Sequence, residues 1–269
     1  MKITFLGGGN MANALIGGML KQGFAPADID VVEPGRDARD RLQAYAVNCL
    51  ESAEMLASTG DLLVLAVKPQ QMRNAVAPLV GKLGDAVVVS IAAGLGMAAL
   101  SRWLGGHRRI VRSMPNTPAL IGAGITGLCA LPEVDAAGRA AAERVLRAVG
   151  STVWIDDEVR MDAVTAVSGS GPAYVFLFIE ALQQAAADLG FTPEQGRQLA
   201  IGTVQGAAAL AAQASEPASV LRERVTSAGG TTEAALRTMA ERGVKEGIIA
   251  GAMAAERRGR ELGAILGAN

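Results

Sequence analysis

The sequence predicts an α/β Rossmann-like N-terminal domain with a mainly parallel sheet, followed by an all-α C-terminal dimerisation domain. Three observations lead there. Apolar runs such as Leu62-Leu63-Val64-Leu65-Ala66-Val67 and Val87-Val88-Val89 are continuous rather than alternating, as strands covered on both faces require. Helical periods fall between most of these runs, the pattern of a sheet with helices above and below. After Val153-Trp154-Ile155 and the acidic group Asp156-Asp157-Glu158 no convincing strand recurs, and the chain becomes alanine-rich. A length of 269 residues accommodates two domains, read as 1–157 and 158–269.

The elements follow in order. Ile3 to Leu6 is a strand, and Met11, Ala14, Leu15, Gly18 and Met19 then recur at helical spacing, with Gly23 where that helix would stop. Further strands are expected at Ile29 to Glu33, Leu62 to Val67, Val87 to Ser90, Ile110 to Ser113 and Ile125 to Ala130. From Arg160 onward helices are punctuated by Gly190, Pro193, Pro217, Gly229-Gly230 and Gly243. The last helix, Val244 to about Leu266, carries Gly247, Gly251 and Ala255 on one stripe, which lets another helix approach closely. A helical domain with so few large side chains buries little surface alone, so association through these helices is expected.

Composition narrows the chemistry. Lys and Arg number 25 against 26 Asp and Glu, which leaves no electrostatic footprint for nucleic acid. Two cysteines, Cys49 and Cys129, staple nothing and offer no metal cage, and the single His107 removes mechanisms built on histidine clusters. No apolar run reaches the roughly 18–20 residues a membrane helix needs, and Gly7-Gly8-Gly9-Asn10 interrupts any signal-like segment. A cytoplasmic protein without a metal, nucleic acid or membrane partner is the expectation.

Gly7-Gly8-Gly9-Asn10-Met11-Ala12 fits G-x-G-x-x-[GA] between the first strand and the first helix. Gly7 permits the tight turn, Gly9 lets a pyrophosphate approach the backbone, and Ala12 allows close helix–strand packing. The diphosphate would face unpaired N–H groups at the helix's positive end. Glu33 stands where a carboxylate would bind the adenine ribose of NAD, whereas Arg36 could hold the 2′-phosphate of NADP; the two point in opposite directions.

Loops at the carboxyl ends of later strands are further candidates. Ala66-Val67-Lys68-Pro69-Gln70 offers a lysine for phosphate or ribose. Ser90-Ile91-Ala92-Ala93-Gly94 offers small residues against which a flat nicotinamide ring can lie. Ser113-Met114-Pro115-Asn116-Thr117-Pro118 is stiffened by proline and carries the Asn116 amide. In the helical half, Ser168-Gly169-Ser170-Gly171-Pro172-Ala173-Tyr174 sets glycines and a proline in a helical stretch, signalling close approach to a ligand or backbone, or a helix boundary. Val225-Thr226-Ser227-Ala228-Gly229-Gly230-Thr231-Thr232-Glu233 reads as an anion-binding helix N-terminus. Its ordinary alternative is N-capping by Thr231 or Thr232.

These segments together resemble the pyrroline-5-carboxylate reductase family over essentially the whole chain. The resemblance is carried by Phe5 to Ala12, Ala66 to Gln70, Met114 to Pro118, Ser168 to Tyr174 and Val225 to Leu236, in family order. It implies NAD(P)H-dependent reduction of the C=N bond of 1-pyrroline-5-carboxylate to L-proline, the last step of proline biosynthesis. It also implies helical domains that intertwine as a homodimer, with higher assembly up to pentamers of dimers. Cofactor contacts are expected from Leu6, Gly7, Gly8, Gly9, Asn10, Met11, Glu33, Arg36, Ala66, Val67, Lys68, Pro69, Ala92, Ala93, Gly94 and Asn116. Substrate contacts are expected from Ser170, Gly229, Gly230, Thr231 and Thr232. Thr232 is the candidate partner of the ring nitrogen, with Ser227 lining the pocket.

The family's usual coenzyme is NADP, but many members carry Ser or Asn-Arg where this chain has Glu33-Pro34, a departure that hints at NADH. Ser52-Ala53 likewise replaces an Asn found in several relatives. Two rival readings remain. A β-hydroxyacid dehydrogenase would use a lysine of the helical half, where only Lys245 stands beyond residue 160. A non-catalytic nucleotide sensor would leave Gly229 to Thr232 without a task.

Overall fold

A computed structural model describes residues 1–267 of the chain. It begins with β1 (Ile3–Leu6), α1 (Asn10–Lys21), β2 (Ile29–Val32), α2 (Arg36–Gln43) and β3 (Asn48–Leu50). There follow β4 (Leu62–Leu65), α3 (Met72–Val76), β5 (Val87–Ser90), α4 (Met97–Trp103), β6 (Ile110–Met114), β7 (Gly124–Ala130), α5 (Ala136–Leu146) and β8 (Gly150–Trp154). The helical part contains α6 (Met161–Val164), a π turn at Thr165–Gly169, α7 (Gly171–Asp188), α8 (Pro193–Gln213), α9 (Ala218–Arg224), α10 (Thr231–Glu241) and α11 (Val244–Gly267). Two compact units result: Met1–Ser170 with the last helix from Ala254, and Gly171–Met253.

The first unit holds one eight-stranded sheet in the order β3-β2-β1-β4-β5-β6-β7-β8. Every pairing is parallel except β6 with β7. That exception follows from the short connection between them, since a parallel return needs a crossover of a dozen or more residues. The strand order reverses between β1 and β4, a switch point where open α/β sheets leave a crevice at the carboxyl ends of their strands. Leu62, Leu63, Val64 and Leu65 are all fully buried, as the continuous apolar run predicts. One side of the sheet packs α1 and α5 through Leu15, Ile16, Met19, Ala142 and Val145. The other packs α3 and α4 through Met72, Val76, Met97 and Leu100. Burial of each large side chain contributes about 1.5–3 kcal/mol.

Several sequence expectations shift. β2 and β4 stop at Val32 and Leu65, short of the expected ends at Glu33 and Val67. β3 escapes the pattern: its three residues at the sheet edge, Asn48 exposed and Cys49 and Leu50 half-buried, carry no apolar run, and Asn48 is held by a side-chain bond from its Nδ2 to Asp30 Oδ1 at 2.8 Å. The strand foreseen around Val153 to Ile155 lies at Gly150–Trp154. The expectation that no segment suits a membrane by length and apolarity is also corrected, since the helical run Glu158–Asp188 passes that test. Alanine, glycine and the Val175-Phe176-Leu177-Phe178 group keep it apolar on average, although Glu180 interrupts it.

The second unit is made of helices with almost nothing inside. α8 opens on a capping box: Gln195 N donates to Thr192 Oγ1 at 3.3 Å, and Thr192 N donates to Gln195 Oε1 at 2.9 Å. α7 and α8 pack against each other where Gly196 meets Ala186. No residue of α9, α10 or α11 is buried. Phe176, Leu177, Met239, Ile248, Ile249 and Met253 all stand exposed. So large an uncovered apolar surface is the mark of an interface.

Candidate active site

The crevice is built by the glycine turn. Gly7 has φ +103°, and a Cβ there would lie 2.8 Å from the Ala66 carbonyl oxygen, so both conformation and space exclude a side chain. A Cβ on Gly9, by contrast, would meet nothing within 4 Å, which leaves the backbone open on that side. Gly9 is the N-cap of α1, and no side chain caps that end. The first-turn N–H groups, from Asn10 and Met11 onward, therefore face outward with the helix's partial positive charge. This is the cradle that a pyrophosphate fits.

Glu33 occupies the end of β2, half-buried, and its carboxylate folds back over the turn. Its Oε2 accepts from Gly8 N at 2.7 Å and its Oε1 from Gly35 N at 2.8 Å. Arg36 lies away from this point, exposed, with Nε 3.9 Å from Asp40. The guanidinium at the strand end is that of Arg39, which donates to the carbonyls of Glu33 at 2.9 Å and Pro34 at 2.7 Å and to Glu51 at 2.6 Å. Spacing along the sequence does not distinguish the two arginines; which side of α2 faces β2 decides it.

The next strand ends line the same edge of the sheet. Leu6 is buried and its carbonyl accepts from Ala66 N at 2.8 Å. Val67 and Pro69 are half-buried, and Lys68 is exposed. In the loop after β5, Ala92 is buried with its N–H donated to Ser90 Oγ at 3.3 Å, and Ala93 is exposed. Gly94 approaches the end of α11: a Cβ on Gly263 would lie 2.9 Å from the Gly94 carbonyl oxygen. Arg102 Nη2 donates to the Gly267 carbonyl at 2.8 Å and fixes this contact.

Asn116 is 8% exposed and turned inward. Its Nδ2 donates to the Ser168 carbonyl at 3.1 Å, and its Oδ1 accepts from Ile125 N at 2.9 Å. Arg112 of β6 is buried between two carboxylates, 2.8 Å from Asp162 and 3.4 Å from Glu158. Glu158 Oε1 also accepts from Met97 N at the start of α4, at 2.7 Å. The charged residue in the otherwise apolar run Ile110-Val111-Arg112 was the only sequence signal for this cluster. Burial pushes the thiols of Cys49 and Cys129 up from their ordinary range, so neither is poised as a nucleophile.

In the helical unit, α10 begins after Gly230, its N-cap, with no side chain capping it. The capping alternative is thereby corrected: neither Thr231 nor Thr232 is the cap. Glycine at that place leaves both threonine hydroxyls out of the capping role. Gly229 has φ +70°, and its N–H donates to Glu233 Oε2 at 2.6 Å; Gly230 N donates to the Ser227 carbonyl at 3.0 Å. The turn is thus held by backbone and Glu233, while the first N–H groups of an eleven-residue helix stay open. Ser227 and Thr231 are exposed and Thr232 half-buried. Ser170 closes the π turn through its N–H, which donates to the Thr165 carbonyl at 2.8 Å.

A profile described as pyrroline-5-carboxylate reductase dimerisation matches residues 158–262, and one described as NADP oxidoreductase, coenzyme F420-dependent, matches residues 2–94. A pyrroline-5-carboxylate reductase of Pseudomonas aeruginosa is 43% identical over 99% of this chain and 98% of its own. The chain belongs to the pyrroline-5-carboxylate reductase family. The solved structure of the Coxiella burnetii reductase has 40% identity and a TM-score of 0.92, covering 97% of this chain and 98% of that one. The Plasmodium falciparum enzyme, solved with NADP bound, has 28% identity and a TM-score of 0.86 over 98% of both chains. Against these reductases the chain is a nicotinamide-dependent oxidoreductase with a dimerisation domain, and the hydroxyacid-dehydrogenase and sensor readings fall away.

Proposed function

We propose that this chain reduces the C=N bond of 1-pyrroline-5-carboxylate to L-proline with NADH or NADPH, as the last step of proline biosynthesis. The observation that carries the reading is the uncapped start of α10, where Thr231 and Thr232 present open N–H groups and hydroxyls beside Gly230. The substrate is an anion with one reactive imine, and an open helix N-terminus holds a carboxylate well. Once protonated, an iminium is electrophilic without help from a strong base, which accords with a site without histidine. The residues therefore serve orientation and charge.

In this reading the carboxylate takes the N–H groups of Thr231 and Thr232, with Gly230, whose own N–H is held by the Ser227 carbonyl, leaving room for its approach. The Thr232 hydroxyl bonds the ring nitrogen, while Ser227, Gly229 and Ser170 line the pocket. The coenzyme's diphosphate takes the turn Gly7 to Met11, and its further contacts come from Leu6, Ala66, Val67, Lys68, Pro69, Ala92, Ala93 and Gly94. What the coenzyme supplies when bound is a hydride for the C=N carbon. Glu33, folded over Gly8, favours ribose hydroxyls and repels a 2′-phosphate, so NADH is the coenzyme this site prefers. Arg36, exposed and facing Asp40, is kept only as a peripheral contact.

Residues 158–269 serve substrate binding and dimerisation, and 1–157 hold the coenzyme. The apolar faces of α7, α10 and α11 are covered by a second copy rather than by lipid or nucleic acid. Light scattering behind size exclusion at micromolar concentration should give a dimer or a multiple of it up to a decamer; a monomer would contradict this. A cytoplasmic setting accords with the two unpaired thiols. The activity itself is tested at 340 nm: mixing reduced coenzyme with 1-pyrroline-5-carboxylate should consume it, and an unchanged absorbance overturns the reading.

A further inference from the structure

Asn116 stands in the loop that sequence alone assigns to the coenzyme, but its amide is already engaged by the protein on both sides. Its two bonds have a common cause in the sequence of the π turn. In a regular helix the Ser168 carbonyl would accept from the N–H four residues on. That residue is Pro172, which has no N–H. The turn at Thr165–Gly169 is already lengthened to a π pattern, with Ser170 N reaching back to the Thr165 carbonyl at 2.8 Å. The Ser168 carbonyl thus lacks its α-helical donor, and Asn116 Nδ2 supplies one at 3.1 Å. The other half of the amide accepts from Ile125 N at 2.9 Å. Because one partner only accepts and the other only donates, the orientation of the amide is fixed by chemistry.

A second contact joins the same two segments. A Cβ on Gly169 would lie 2.7 Å from Met114 Cε, so glycine is what lets the π turn lie against the end of β6. Two further back-bonds within the turn, Thr165 Oγ1 to Met161 O at 3.0 Å and Ser168 Oγ to Val164 O at 2.9 Å, leave its own hydroxyls unable to replace Asn116. π turns inside α-helices are frequent at functional sites because they re-aim the residues that follow. Here the residue at the end of the turn is Ser170.

We propose that Asn116 is a positioning residue rather than a coenzyme contact: it replaces the N–H that Pro172 lacks and so fixes the π turn, and Ser170 with it, against the carboxyl end of β6. This rests on the reductase reading above, with Ser170 on the substrate side. Asn116→Asp keeps the acceptor for Ile125 but turns a carboxylate on the Ser168 carbonyl. Pro172→Ala restores to the chain the N–H whose absence Asn116 covers.

The test compares wild type, N116D and the double variant N116D/P172A, with steady-state kinetics and, separately, coenzyme dissociation constants from protein fluorescence. The expected result is a fall of about 100-fold in kcat/KM for 1-pyrroline-5-carboxylate in N116D, the scale of a small misplacement at a reacting site. Coenzyme dissociation constants should stay within about twofold, and the double variant should recover at least tenfold of the loss. Unchanged kinetics in N116D overturns the proposal, as does weakened coenzyme binding that matches the loss, or a double variant no better than the single. Should N116D fail to fold, N116D/P172A must be soluble and active; if it too fails, Pro172 is not the reason for Asn116, and the proposal is wrong. An inactive wild type would instead count against the reductase reading, while coenzyme binding would still report on Asn116.

Discussion

Thr232→Val should lower kcat/KM for 1-pyrroline-5-carboxylate by about 100-fold while leaving the dissociation constant of the reduced coenzyme unchanged. Valine keeps the shape of threonine and removes one hydroxyl, so the variant isolates the hydrogen bond proposed for the ring nitrogen. A donor or acceptor aimed at developing charge is worth roughly 100- to 1,000-fold in rate. The start of α10 itself should persist, because Gly230 and not Thr232 is its cap and Glu233 secures the turn through Gly229 N. Circular dichroism and melting temperature should therefore match wild type. Wild-type kcat/KM in Thr232→Val would remove Thr232 from the reaction.

The second large effect concerns the coenzyme. Glu33→Ser should raise the ratio of kcat/KM for NADPH over NADH by roughly 10- to 100-fold, which is about 1.5–3 kcal/mol for one charge-assisted hydrogen bond. In the protein as it stands, the carboxylate holds Gly8 N and Gly35 N at 2.7 and 2.8 Å, and in the proposed reading its charge repels a 2′-phosphate. Removing it frees two N–H donors and takes away a negative charge at once, and steady-state kinetics with both coenzymes reads the change directly. If the ratio does not move, Glu33 does not select the coenzyme. If wild type prefers NADPH strongly, the carboxylate must swing away on binding.

Much of the architecture was legible because continuous apolar runs and helical periods are local signals. Leu62 to Val67 and Val87 to Ser90 announce buried parallel strands, and the glycine turn after β1 announces the cradle at α1. What escaped is what tertiary contacts decide. Asn48-Cys49-Leu50 is a strand only because β2 lies beside it. The direction of β7 follows from the length of its connection to β6. That Arg39 rather than Arg36 meets the end of β2 depends on how α2 faces the sheet. Asn116 was visible as a polar residue between prolines, but its partner is Ser168, far along the chain, and Pro172 is the reason for the pairing. The start of α10 was legible as a glycine-threonine cluster; that glycine would be the cap, leaving both threonines out of that task, was not.

The account turns on the substrate's acidic group meeting the open N–H groups at Thr231 and Thr232. A crystal structure of the protein with L-proline bound measures that contact directly. The predicted result is the proline carboxylate within hydrogen-bonding distance of those N–H groups and its ring nitrogen beside the Thr232 hydroxyl. Proline seated away from α10, or no proline at saturating concentration, would contradict it.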